Sequence, residues 1–496
     1  MSASGGAGAL TREQLIAAGT PHRRLYIEAA PGSGKTTVAA QRFGIQRFRD
    51  GSDPRAIIAV SFTRSATTEL RNRVLSQWGP AALAWPHRIV TLDTIVCDLL
   101  THLLSTGHVN WPAGHRSLTV IDHWRLLLST TWTNWGPILT LDGDQVVAKR
   151  ARSADKDNRP TLADLNDALA RGWCTHQEVR RLLEMALANS STRDALLARL
   201  TQTARALIVD EIFDANTLDL ALVQLAADAG LDVTVVGDPW QALYGFRGAR
   251  PDQVPTLVEE ADLVQRDLPT SFRWKSEGQS HLAHRLRAGE DVSMPQGRAE
   301  DVDVLLALQW NQLWDTGPHV LPLAYKSFKG QPQEAACTLL LSELTQRTFG
   351  SNATFHNDAL TTLDIDSQAL GRLRPRLSAL LDALAGSTEV DEVLTSLKSV
   401  IGEESDRHIP RHHKTHRVRL EQLRARLRVP AAQLVPGLTA HQAKGREWDR
   451  VGVRLSSAEH GALSQGLNSG NEEHRKLYVA LTRARWTTLA IAGEAP

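Results

Sequence analysis

Cysteine is scarce in this chain. Cys97, Cys174 and Cys337 are the only three among 496 residues, and they lie too far apart for a CxxC pair or a zinc ribbon. A disulfide-built secreted fold is therefore excluded, and a reducing, cytoplasmic setting is expected. Charge of one sign is equally lacking: Lys+Arg 56 against Asp+Glu 55 leaves a formal net charge of +1. No global basic field exists, so any nucleic-acid site must be a local patch. Long apolar runs are missing too, since none reaches the roughly 18 residues of a membrane span. The opening MSASGGAGALTREQ has neither the positive n-region nor the apolar h-region of a signal peptide. No membrane partner is expected. No repeat period occurs, and the short Gly/Ala-rich start is the only low-complexity tract. What is present is an ordinary globular balance, 42% hydrophobic and 22% charged. The length implies about three or four domains.

Apolar, β-branched runs alternate with helical patterns along much of the chain. LYIEAA leads through a Pro/Gly turn into VAAQRF, AIIAVSFT into SATTELRNRVLSQW, and IVTLDTIVCDLL runs from strand into helix. That alternation is the pattern of a parallel sheet covered by helices. Between about 100 and 200 the spacing turns helical, with RSADKDNRP as a loop. Strands resume at ARALIVDE and LDVTVVGDP. A second alternating block starts after Gly248 with ADLVQRDLPTSFR, VDVLLAL and VLPLAYKS. A leucine-rich helical tract follows, and VGVRLS and TTLAIAGE return to strand. The fold class is α/β: two cores with parallel sheets, each carrying a mainly helical insertion.

Ala29-Ala30-Pro31-Gly32-Ser33-Gly34-Lys35-Thr36, with Thr37 after it, lies between strand and helix as a phosphate-binding loop does. Backbone N–H groups from Gly32 to Lys35 would cradle β/γ-phosphates at the helix N-terminus. Lys35 would bridge β- and γ-oxygens, and the Thr36 hydroxyl would ligate Mg²⁺. Ala29 stands where the pattern usually has its first glycine. LIVDE ends a strand with Asp210 and Glu211 at the edge where open α/β sheets place ligands. Asp210 suits Mg²⁺ and Glu211 suits the attacking water, because phosphoryl transfer is catalysed by positioning and charge neutralisation. Loop and carboxylates together point to an ATPase or GTPase.

The order and wording of these motifs resemble the superfamily 1 helicases of the UvrD/Rep/PcrA type. LTREQLIAAG carries Gln14 where the family has its adenine-reading glutamine. VSFTRSATTELRNRV (60–74) and TLDTI (91–95) are similar to the single-strand-binding motifs, and VDEIFDAN (209–216) to the DExxD box. VVGDPWQALYGFRGA (235–249), LPTSFR (268–273), LTAHQAKGREWDRV (438–451) and HRKLYVALTRAR (474–485) resemble the third to sixth motifs. The resemblance implies RecA-like cores at 1–98 with 200–250, and at 251–332 with 430–496. It places a helical insertion at 99–199 and a short helical, basic one at 333–429. It also implies ATP with Mg²⁺, 3′-to-5′ polarity, and single-stranded and tailed duplex DNA as partners. Gln241 would sense the γ-phosphate, Arg273 and Arg483 would meet charge on the transferred phosphoryl group, Phe272 would stack on adenine, and Glu447 would contact the ribose. Phe62, Tyr244 and Phe246 would stack on bases, with ordinary core packing as the alternative for Phe62. Thr91, Arg247 and His441 would contact the DNA backbone.

Some residues depart from the family pattern. Thr37 stands where relatives often carry an arginine, Phe213 where many have glutamine, and Asp93 where many have histidine. The run from Arg407 to Arg428 holds eight Lys/Arg and four His against Glu421 alone. Arg417, Arg419, Arg424, Arg426 and Arg428 read either as a phosphate-tracking helix or as a solvated face. The short second insertion, and an end about ten residues past the arginine motif, resemble the helicase subunit of the Gabija anti-phage system. That resemblance implies an ATPase–nuclease partner. A stand-alone repair or recombination helicase, and a nucleic-acid-activated ATPase sensor that does not unwind, are the other readings.

Overall fold

The computed structural model describes residues 10–410 and 414–493. It divides into two units, Met1–Ser271 and Phe272–Pro496. In the first, the helices α1 (Arg12–Gly19), α2 (Lys35–Arg49), α3 (Arg64–Trp78), α4 (Leu92–Ser105), α5 (Leu162–Ala170), α6 (His176–Leu187), α7 (Ser190–Thr203), α8 (Thr217–Asp228) and α9 (Val254–Glu260) surround a six-stranded sheet. Its strands are β1 (Arg24–Ala29), β2 (Ala56–Ser61), β3 (Arg88–Thr91), β8 (Ala204–Asp210), β9 (Asp232–Gly237) and β10 (Val264–Leu268). The insertion carries the short pair β4 (Thr119–Ile121) and β7 (Trp173–Thr175), and the hairpin β5 (Thr131–Asp142) and β6 (Gln145–Arg159). The sheet order is β10-β1-β9-β8-β2-β3, and every pairing is parallel.

β2 and β9 are buried at all six positions, as continuous apolar strands are when helices cover both faces of a parallel sheet. Leu25 and Ile27 pack with Val38, Phe43 and Leu70 on one side. Tyr26 pairs instead with the opposite layer of Leu92, Val96 and Leu99. Because β1, β9 and β8 are neighbours, the segments leaving their carboxyl ends sit side by side along one edge.

Two features differ from the sequence reading. Residues 251–271 belong to the first unit, because β10 pairs with β1 from Leu25↔Val264 to Ala29↔Leu268. VQRDL alternates half-buried and exposed positions, the pattern of an edge strand, and such a pattern does not say which sheet it borders. The 99–199 insertion is not mainly helical throughout. Trp132 and residues 152–159 of RSADKDNRP lie in the antiparallel hairpin β5–β6, which turns at Asp142–Gln145 with Gly143 at φ +65°. The Asp-Gly pair at 142–143 is the turn signal that marks it.

The second unit holds a parallel sheet of β11 (Gln296–Gly297), β12 (Val304–Ala307), β13 (Val320–Pro322), β14 (Val435–Thr439), β15 (Trp448–Arg454) and β16 (Ala484–Ile491), in the order β11-β16-β15-β12-β14-β13. Among the described residues, five helices between Pro332 and Leu427 build a separate core around Leu340, Leu373, Leu381, Leu397 and Leu420. With its two parallel sheets, the chain is the α/β protein its sequence predicts.

Candidate active site

The loop after β1 turns on Gly32 (φ +73°) and Gly34 (φ +83°), both in backbone that favours glycine. The first helical bond of α2 runs from Val38 N–H to Gly34 O at 2.9 Å. The helix's own ladder therefore uses no earlier N–H, and this end of α2 has the polarity that suits an anion. Ser33 N–H, by contrast, is spent on Ala30 O at 3.1 Å, and Ala30 N–H on Leu268 O at 3.0 Å. Ala29 ends β1, fully buried, so the departure at that position is a packing residue of the strand. Pro31 O accepts from Ser271 Oγ at 2.6 Å.

Lys35 and Asp210 are buried together, 8% and 1% exposed. Thr36 Oγ1 donates to Asp210 Oδ2 at 3.2 Å, joining the loop helix to the end of β8. Asp210 Oδ1 and Ser33 Oγ are buried with no hydrogen-bond partner among the described residues. Burial, then the neighbouring Glu211 carboxylate, pushes the Asp210 carboxyl above its usual range, against the pull of Lys35 and the Thr36 hydroxyl. A divalent cation supplies what this carboxylate lacks, and a hydroxyl beside it with room for substrate phosphates is the donor set Mg²⁺ takes. The residues fit the ion. No group of three or more His, Cys, Asp and Glu gathers among the described residues, so such an ion depends on phosphate and water for its other ligands.

Glu211 occupies left-handed backbone, φ +64° and ψ +44°, at a cost of about 1–2 kcal/mol for a residue with a Cβ. Sequence patterns carry no signal for this conformation. The segment after β9 adds Gln241, whose Nε2 donates to the buried Asp238 Oδ2 at 2.6 Å. Gln14 is 6% exposed. Its Nε2 donates to Ser33 O at 2.8 Å and its Oε1 accepts from Thr11 N–H at 3.0 Å. It thus buttresses the phosphate loop from the start of α1. Thr37 Oγ1 accepts from Arg73 Nη1 of α3 at 2.7 Å. Phe213 packs on Tyr26, ring centroids 6.3 Å apart, and covers Gly237. At that departure an aromatic fills core.

Phe62 follows β2 and is half-buried against the core. Thr91 precedes α4 and its Oγ1 lies 3.1 Å from Thr94 Oγ1. Asp93 is bound at 2.7 Å by Arg180 of α6, which also holds the buried Asp219 at 2.7 Å. The carboxylate at that departure is neutralised from within the insertion. Tyr244, Phe246 and Arg247 form one turn past Gln241. The rings stand edge-on at 6.0 Å, with the guanidinium 5.1 and 5.5 Å from the two centroids. Phe246 is 65% exposed.

In the second unit, Phe272 is 44% exposed. Arg273 donates to Glu447 Oε2 and Thr482 O, both at 3.2 Å. Glu447 also faces Arg485 at 4.0 Å, so the residue expected at the ribose has arginine neighbours here. Arg483 is wholly buried, its Nε donating to Val479 O at 2.9 Å. His441 is half-buried on the single-turn helix Ala440–Ala443.

In the basic run, Arg417, Arg419, Arg424 and Arg426 are engaged with groups of their own unit, while Arg428 is exposed, as on a solvated face. Arg426 is buried, giving its guanidinium to the carbonyls of Val320, Trp314, Gly317 and Gln422. Arg419 is buried over the Tyr325 ring, and Arg424 donates to Leu384 O and Thr388 O. Arg417 pairs with Asp391 and Glu421. Arg424 and Arg426 serve as hydrogen-bond donors to backbone carbonyls, a use that composition cannot distinguish from phosphate binding. Arg411, His412 and His413 lie outside the described residues.

Fold and loop together define the class, a P-loop α/β protein with two parallel-sheet units. Residues 10–133 and 140–261 match the UvrD/REP helicase N-terminal domain, and 390–492 match the UvrD-like helicase C-terminal domain. The chain belongs to the UvrD-like helicase family. It is 24% identical over 288 residues to DNA helicase II of Haemophilus influenzae, covering 53% of this chain and 38% of that protein. It is 26% identical over 293 residues to ATP-dependent DNA helicase srs2 of Schizosaccharomyces pombe, 52% of this chain and 32% of that one. Over 263 residues it is 28% identical to ATP-dependent DNA helicase PcrA of Leuconostoc citreum, 49% of this chain and 34% of that one. The chain thus spans about a third of the length of these relatives.

Proposed function

We propose that this chain is an ATP-driven motor on single-stranded DNA, able to displace a strand from tailed duplex. One observation carries the reading: within ten residues after β9, a buried glutamine beside the phosphate loop's sheet edge gives way to an exposed ring cluster. A shift at Gln241 on loss of the γ-phosphate reaches Tyr244 and Phe246 through three and five residues of chain. The phosphate loop holds the nucleotide, Lys35 meets the β- and γ-oxygens, and Gln14 and Phe272 meet the base. Glu211 orients and deprotonates the attacking water. Arg273 and Arg483 meet charge on the transferred group. Mg²⁺, held by Thr36 and Asp210, supplies charge neutralisation when bound. Phe62, Thr91, Arg247 and His441 complete the DNA track in this reading.

Lys35→Ala is expected to abolish DNA-stimulated ATP hydrolysis and to weaken nucleotide binding. Glu211→Gln should abolish turnover while sparing binding, since only activation of water is lost. Hydrolysis near wild type in either variant, measured with single-stranded DNA present, rejects the site. Strand displacement on a tailed duplex separates a motor from an ATPase sensor. Co-purification with a nuclease subunit from the native host would extend the reading to an anti-phage complex. A chain recovered alone keeps it with repair.

A further inference from the structure

The β5–β6 hairpin exposes two tryptophans, Trp132 at 62% and Trp135 at 55%. Large rings at such exposure leave their faces to water, a costly use of apolar surface unless something covers them. Trp135 pairs directly with Arg152, and Arg150, opposite Pro137, is its diagonal neighbour on the same face. Both arginines are exposed, and among the described residues neither has a hydrogen-bond or ion-pair partner. Of the other cations of the hairpin, Lys149 pairs with Asp142 and Arg159 donates to Pro137 O and Ser153 Oγ, while Lys156 is exposed. Of this face, Trp135 falls in the gap at 134–139 between the two matched stretches of the N-terminal family domain, while Trp132, Arg150 and Arg152 lie inside them.

We infer that the hairpin is a second nucleic-acid contact, taking one strand with unpaired bases. An indole accepts any base on its π-face, and guanidinia beside it meet the phosphates on either side of the stacked nucleotide. Charge complementarity selects the occupant: two unpaired cations flanking a ring suit a polyanion carrying bases better than a neutral protein surface. The inference rests on the motor reading, but uses none of its residues.

The test is fluorescence anisotropy of a labelled 20-nucleotide oligothymidine with the full chain, without ATP, at several salt concentrations. Trp132→Ala/Trp135→Ala should bind roughly tenfold or more weakly. Arg150→Ala/Arg152→Ala should lower the slope of log affinity against log salt by about 1.4, two phosphate contacts on a single strand. Hydrolysis without DNA should be unchanged in both. If the tryptophan pair lowers thermal stability, the arginine pair still decides. Wild-type binding with unaltered affinity and slope in the variants overturns the hairpin site alone. A wild-type chain that binds no oligonucleotide overturns the motor reading and this inference together.

Discussion

Gly34 meets two demands at once, and each forbids a side chain for its own reason. Its φ is +83°, and a Cβ there would stand 2.6 Å from Gln14 Nε2. That nitrogen is pinned on Ser33 O, so it does not swing aside freely. Gly34→Ala should lower unfolding free energy by about 1–2 kcal/mol and weaken nucleotide binding. The two causes separate in a double-mutant cycle. In Gln14→Ala the clash disappears while the backbone strain stays, so the two substitutions together should cost less than their sum. Strict additivity in urea melts would show that Gln14 does not restrain the loop. At this scale the sequence is most readable where chemistry needs a residue type, as with Lys35, Thr36 and Asp210. It is silent where the backbone decides, as with the left-handed Glu211, because φ leaves no mark on composition.

Single elements show the same division. β2 is irregular between Ala56 and Ile57 in its pairing with β8, and the Ile57 N–H finds its acceptor in His87 Nδ1 at 3.0 Å. Burial, then Arg47 and Arg205, depress the His87 pKa to about 4. The folded state refuses a proton that the unfolded chain takes up near 6.5. Stability from this contact is therefore whole above about pH 6.5 and drains away as pH falls toward about 4, by on the order of 2 kcal/mol. Denaturation at pH 7.5, 6 and 5 should show the difference between wild type and His87→Gln shrinking with acidity. A constant difference across that window would deny the histidine this role. Parallel strands with continuous apolar runs, such as AIIAVS, declare themselves in sequence. The polar edge strand VQRDL does not, because its partner rather than its own pattern defines it, and the hairpin declares only its Asp142-Gly143 turn, its pairing being irregular between Thr133 and Trp135.

At the scale of the whole chain, a net charge of +1 hides strong local allocation. Much of the densest cationic run is engaged inside its own unit, where Arg426 alone donates to four carbonyls. Arg426→Ala takes this donor from the buried carbonyls of Val320 and Trp314, and a loss of about 3–5 kcal/mol is expected. The salt dependence of DNA binding should stay as in wild type. Two units with separate cores predict calorimetric unfolding in more than one transition. Arg426→Ala should lower one of them, and His87→Gln the other. A single transition shifted equally by both substitutions would show one cooperative body instead.

The first unit ends at Ser271, whose hydroxyl is bonded to Pro31 O, three residues after Leu268 accepts from Ala30 N–H. In terms of load paths, the chain is moored to the phosphate loop at the point where it departs. Tension applied to the chain beyond residue 271 is borne first by these two bonds, ahead of the ladder between β10 and β1. The loop is thus a strain gauge as well as a cradle: a pull from the rest of the molecule is felt at Ala30 and Pro31 before any strand gives way.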